Sequence, residues 1–254
     1  MVPVALTLDD KVKEPTDIHK LVRLRSLMSN FQESWHMSGA RSVLLNSLQN
    51  LKNKARISNI VCIGLGTLQS EDPEYADPKI QHIVASALAQ ELTRIYEEMG
   101  MSLQEPITII AQDPAYTPRD RKLLSELPVP IKIAADPQGF LAINESSLVF
   151  SANPSVPVKQ LIADLATEAS DGNGPAAVFL NSDYVDRYWG GLDIVKCDGD
   201  CQWFYANPET RGYVTMLETY TPVMGVEELF VPDVESLAPG DKWLRLMEIW
   251  GREE

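Results

Sequence analysis

Five short apolar runs between residues 58 and 182, most of them separated by helical patterns, constrain the fold of this chain more than any other feature. They are Asn59–Gly64, Ile107–Gln112, Ile131–Ala135, Ser147–Ser151 and Ala176–Asn181, each bounded by Gly, Pro, Asp or Asn. Continuous apolar runs of that length suit strands buried on both faces. Between them, Ile80, Ile83, Val84, Ala87, Leu88, Leu92 and Ile95 form one helical stripe that ends at Gly100. Thr117-Pro118 supplies a cap followed by proline at the first helical position. Ser155 is placed to cap a helix carrying Val158, Leu161, Ile162 and Leu165. Strand–helix alternation of this kind predicts an α/β fold, a Rossmann-like, mainly parallel five-stranded sheet with helices on both faces.

Two further segments flank that core, giving divisions at 1–57, 58–182 and 183–254. In the first, Ile18, Leu21, Val22, Met28 and Phe31, then Val43, Leu44, Leu48 and Leu51, predict two helices with a bend at Ser38-Gly39. The last segment reads as an α+β appendage packed on the core, over its open edge. It carries 15 acids, 6 bases and four of the five tryptophans. Asp198-Gly199-Asp200 between Ile194–Cys197 and Gln202–Ala206 predicts a hairpin. Asn207-Pro208 reads as a helix start, and Trp243, Leu246, Met247 and Trp250 as a short closing helical stripe.

Composition excludes several classes of function. The 254 residues carry a formal charge of −14, although residues 1–60 hold nine bases against five acids. So acidic a body repels phosphate backbones, which argues against nucleic acid as a partner. No stretch approaches the roughly 18–20 apolar residues of a membrane span. The start of the chain lacks a basic-then-apolar signal pattern, and three cysteines in this length suit a reducing compartment, cytoplasm or nucleus.

Chemistry is expected where the first strand runs into Gly64-Leu65-Gly66-Thr67, because ligands of open α/β sheets bind at the carboxyl ends of the strands. Gln69 stands where a dinucleotide fingerprint has its third glycine, and Glu71, Asp72, Glu74 and Asp77 nearby disfavour a pyrophosphate. The glycines therefore serve either a ligand or the turn alone. Asp113, ending the second strand before Pro114, suits either ribose hydroxyls or loop capping. Ser151, Asn153 and Pro154 leave the fourth strand much as the Asn-Pro-Pro loop of methyltransferases does, but the second proline is missing and a turn with a helix cap explains them without any ligand. Tyr184, Tyr188, Trp189 and Trp203 are candidates for an aromatic pocket wall.

Other residues carry blander expectations. His19, His36 and His82 have no metal-ligand spacing, so no metal site is expected. His36 beside Trp35 suits haem or ring stacking less simply than a helix position. Cys197 and Cys201 are too few for zinc, and Cys62 is expected to be buried and inert. No catalytic residue emerges, because no nucleophile–base pattern is present.

Val61–Thr67, Asp136-Pro137-Gln138-Gly139-Phe140 and above all Ser146–Asp164 resemble the Sensitivity to Red Light Reduced-like domain, most closely its fungal branch, over roughly residues 30–182. The resemblance implies a regulatory protein, with haem-related roles suggested for animal relatives. The Met-Pro-His-Cys-like turn of plant and animal members is replaced here by Ser151-Ala152-Asn153-Pro154, so no role passes from its His or Cys. Two expectations result. One is a regulatory module binding a small ligand or a protein partner in a Rossmann-like crevice. The other is an enzyme of fungal specialised metabolism, using S-adenosylmethionine or another adenosine-containing ligand.

Overall fold

The computed structural model describes residues 18–70, 77–101, 105–152, 154–169, 173–181, 195–196, 202–203, 207, 209–225, 243–244 and 247–254. Its chain order is α1 (Ile18–Met37), α2 (Gly39–Ser47), a 3-10 turn (Leu48–Leu51), β1 (Asn59–Ile63), α3 (Pro78–Glu98), β2 (Thr108–Gln112), α4 (Pro118–Leu124) and β3 (Ile131–Ile133). There follow α5 (Gln138–Leu141), β4 (Ser147–Ser151), α6 (Val158–Glu168), β5 (Ala177–Asn181), β6 (Val195–Lys196), β7 (Gln202–Trp203), α7 (Arg211–Leu217), β8 (Tyr220–Met224) and β9 (Met247–Arg252).

The main sheet has the order β3-β2-β1-β4-β5-β9-β8. The five strands from β3 to β5 are parallel, and β9 and β8 extend the sheet in antiparallel fashion. Chain order reverses direction between β1 and β4, the switch point at which a crevice opens in such sheets. All five residues of β1, β4 and β5 are buried, which is why these segments read as unbroken apolar runs. One face packs Ile60, Cys62, Phe150 and Phe179 against α1–α4 and the 3-10 turn. The other packs Val61, Ile63, Val149 and Val178 against α6 and α7.

The seven-stranded sheet corrects the expectation of five strands. Residues 247–252 form a strand, not the last turns of a helix, and their burial alternates with period two. Their register sets Val178 opposite Trp250 and Phe179 opposite Ile249, so the edge of β5 is hydrogen-bonded. Gly251 packs closely there: a Cβ would lie 2.9 Å from Leu51 Cδ2, so a larger residue needs neighbouring side chains to shift. Pro222, which argues against a central strand, is tolerated because β8 lies at the sheet edge.

Local chemistry explains the helix limits. Thr117 caps α4 in a capping box with Asp120. Gly100, at φ +71, ends α3, with Met101 N–H donating to Tyr96 O and Gly100 N–H to Glu97 O. Ser38 caps α2 as the bend between the first two helices requires. Ile18 and Val22 are 68% and 55% exposed, so the buried stripe of α1 is Leu21, Leu24, Met28 and Trp35.

Two predicted caps are corrected. Ser155 does not cap α6, whose first residue is Val158; instead Asn207 Oδ1 accepts the Lys159 N–H at 2.7 Å. Asn207 is therefore the cap of an earlier helix, and Thr210 caps α7. The pair β6–β7 sets Val195 opposite Trp203, while the turn residues 197–201 lie outside the described residues.

Candidate functional site

Gly64 and Gly66 carry the chain from β1 towards α3 with φ of +69° and +78°, the left-handed region that other residues enter at a cost. Space is as restrictive as conformation. A Cβ at Gly64 would lie 3.4 Å from Pro154 Cα, and one at Gly66 would lie 3.1 Å from Pro78 Cγ. The turn is thus held between the exit of β4 and the first residue of α3.

Carboxylates from the neighbouring strand end and helix occupy two of its backbone donors. Asp113 Oδ2 accepts the Gly66 N–H at 2.8 Å, and its Oδ1 accepts the Ala115 N–H at 2.8 Å. Asp120 is fully buried: Oδ1 accepts the Leu68 N–H at 3.0 Å, while Oδ2 accepts from the Thr67 hydroxyl at 2.9 Å and the Thr117 N–H at 2.7 Å. Gly64 N–H continues the sheet ladder to Gln112 O at 3.0 Å. A phosphate held at a glycine turn needs backbone N–H groups such as these, and two carboxylates already hold the Gly66 and Leu68 donors. At Asp77, Oδ1 takes both the Lys79 N–H at 2.8 Å and its ammonium at 3.2 Å.

The sequence-derived candidates converge only in part. Gly64, Leu65, Gly66, Thr67, Gln69 and Asp113 share this turn, and Ser151 joins it by donating its hydroxyl to Ile63 O at 2.6 Å. Pro154 is buried against Gly64, whereas Pro114 is exposed. Asn153, Tyr184, Tyr188 and Trp189 lie outside the described residues, and Trp203 is placed only as a backbone member of β7. The described aromatic cluster is a different one. Phe150 and Phe179 stack at 4.9 Å, and Trp243 packs 5.8 Å from Phe150.

Gln112 explains the second sequence segment. Its Nε2 donates to Asp136 Oδ1 at 2.8 Å and its Oε1 accepts the Gly139 N–H at 2.6 Å. A Cβ at Gly139 would lie 2.5 Å from Gln112 Cβ, so only glycine fits beneath this side chain.

Sequence reasoning missed two residues. Asp120 was signalled by Thr117-Pro118-Arg119-Asp120, a capping-box spacing with Asp in the usual Glu position. His82 had no such signal. It is fully buried, with Nδ1 2.5 Å from Pro78 O and Nε2 2.6 Å from Tyr116 Oη. A carbonyl only accepts, so Nδ1 carries the proton and the neutral ring accepts from the tyrosine hydroxyl. Burial lowers the His82 pKa to about 4, against the opposing Pro78 hydrogen bond and the charges of Asp120, Asp113 and Asp77. Burial likewise pushes the Cys62 thiol far up, leaving it unreactive.

Beside the turn lies an open cleft of about 540 Å³ between α1, the segment after β1, and α4. Lys20, Arg23, Lys79 and Arg119 line it with Asp77, and Leu24, Leu27, Phe31 and Leu68 form its apolar wall. Gln69 is the sequence-derived candidate that reaches it, accepting from Arg119 at 2.8 Å and donating to the Thr117 hydroxyl at 2.7 Å. Lys79 is buried, with its ammonium 5.6 Å from the centre of the Phe31 ring. This concentrates positive charge on a chain whose net charge is −14. Among the described residues, no group of three His, Cys, Asp or Glu is placed to hold a metal ion. Among them, too, no helix is long and apolar enough to cross a membrane.

Residues 42–199 match the family model of the SRR1 domain, and the chain belongs to that family. No curated protein matches the chain.

Proposed function

We propose that this member of the SRR1-domain family is a regulatory binding module that recognises a small ligand or a protein partner beside its Rossmann-like crevice, not by catalysis at the glycine turn. The observation carrying this reading is the use of the Gly66 and Leu68 N–H groups by Asp113 and Asp120. A turn satisfied from within gives no purchase to a phosphate. Recognition then falls to the adjoining cleft, where cations and an apolar wall suit an acidic, partly apolar surface or small molecule. The basic lead-in and Trp35 support the fungal branch, and the buried thiol of Cys62 is compatible with a reducing compartment, cytoplasm or nucleus.

A second reading, transfer from S-adenosylmethionine, draws on the convergence of the glycine turn, Asp113, Ser151 and Pro154 at one end of the sheet. It requires Asp113 to accept ribose hydroxyls while also holding Gly66 and Ala115. Native mass spectrometry of freshly purified protein separates the two. The bare polypeptide mass is expected; a stoichiometric adenosine-containing ligand would overturn the first reading, and a haem would point to a sensor.

A further inference from the structure

We propose that a second cavity, between the end of α1, the start of α2 and the middle of α3, binds a small carboxylate. It has a volume of about 230 Å³, below the range of drug-sized sites, and shares no lining residue with the cleft described above. Trp35 lines it and is 3% exposed, yet its indole Nε1 has no hydrogen-bond partner. A buried N–H left unpaired is costly, so an acceptor that reaches it binds with that penalty relieved.

Charge identifies the acceptor. Arg41 also lines the cavity, and among the described residues its guanidinium makes no hydrogen bond or ion pair. Glu91, an acid whose carboxylate feels the Arg41 charge, is spent on Arg94 at 2.5 and 3.0 Å and on Gln49 at 3.2 Å. Among the described residues no Asp or Glu lines the cavity, and Gln32, His36, Ser86 and Gln90 add further polar groups. A planar carboxylate matches one guanidinium fork with the indole as an additional donor. A phosphate dianion would bring a second full charge, for which the lining offers no second Lys or Arg and only the imidazole of His36. Ile83, Ala87 and Leu127 supply an apolar side, so the acid carries a short apolar body.

The experiment titrates the ¹⁵N-labelled full chain with acetate, butanoate, benzoate and inorganic phosphate, following the Trp35 indole N–H signal. Trp35→Phe assigns that signal. A saturable shift with butanoate or benzoate, tighter than with acetate, is expected. Arg41→Gln should weaken it about tenfold or more while leaving the unfolding midpoint in place. The proposal fails if no carboxylate moves the signal, if phosphate binds at least as tightly, or if Arg41→Gln leaves the affinity unchanged.

Discussion

The Asp113 carboxylate accepts the Gly66 N–H at 2.8 Å, joining the end of β2 to the turn after β1. An acid at the end of the second strand of a parallel sheet is well placed to meet a ligand's ribose; here it meets the chain itself. Asp113→Ala should therefore lower stability by about 1–3 kcal/mol in urea unfolding, through loss of a charge-assisted bond to a backbone donor. Unchanged stability would contradict that structural role.

Gly66→Val should also act on the fold. The residue sits at φ +78° with Pro78 Cγ 3.1 Å from any Cβ, and a β-branched side chain meets both obstacles. A loss of about 2 kcal/mol or more in unfolding free energy is expected. An intact unfolding midpoint would show that the turn accommodates a side chain.

His82 imposes a pH dependence. In the unfolded chain it titrates near 6.5, but in the folded protein near 4, so between those values the unfolded state binds more protons. Stability from the neutral ring is complete above pH 6.5 and is lost as pH falls towards 4. The contribution is on the order of 3 kcal/mol. Unfolding free energies measured across this window should slope upward with pH, and His82→Gln should flatten that slope. Equal slopes in both proteins would disprove it.

Asn207 fastens the acidic C-terminal third to the core by capping α6 through Lys159. Asn207→Ala should cost about 1 kcal/mol, in the usual range for a lost cap, and should speed amide exchange at Lys159. Trp243, 1% exposed against Phe150 and Phe179, should cost about 3–5 kcal/mol on replacement by alanine. Calorimetric unfolding of both variants tests the attachment, and a wild-type transition in each would remove this role from the segment.

The five parallel strands were legible because burial on both faces makes Asn59–Ile63 and Ala177–Asn181 apolar without interruption. β9 was not, since Trp243, Leu246, Met247 and Trp250 also satisfy a helical spacing. Only pairing with β5 selects the alternation of Met247, Ile249 and Gly251. The turn was legible as a turn, with Gly64 and Gly66 in sight, but its hydrogen-bond economy was not. Asp120 reaches Leu68 across a sequence separation of 52 residues, and no local pattern reports such a meeting. Asn207 illustrates the same limit: its Asn-Pro context announces a cap, while only the tertiary fold decides which helix receives it.

The most direct test of the closed turn is a ¹H–¹⁵N titration of the full chain with S-adenosylmethionine, reading the Gly66 and Leu68 amide signals. With both N–H groups held by Asp113 and Asp120, neither signal should move up to millimolar ligand. A saturable displacement of the two together would contradict the closed turn and establish it as a ligand site.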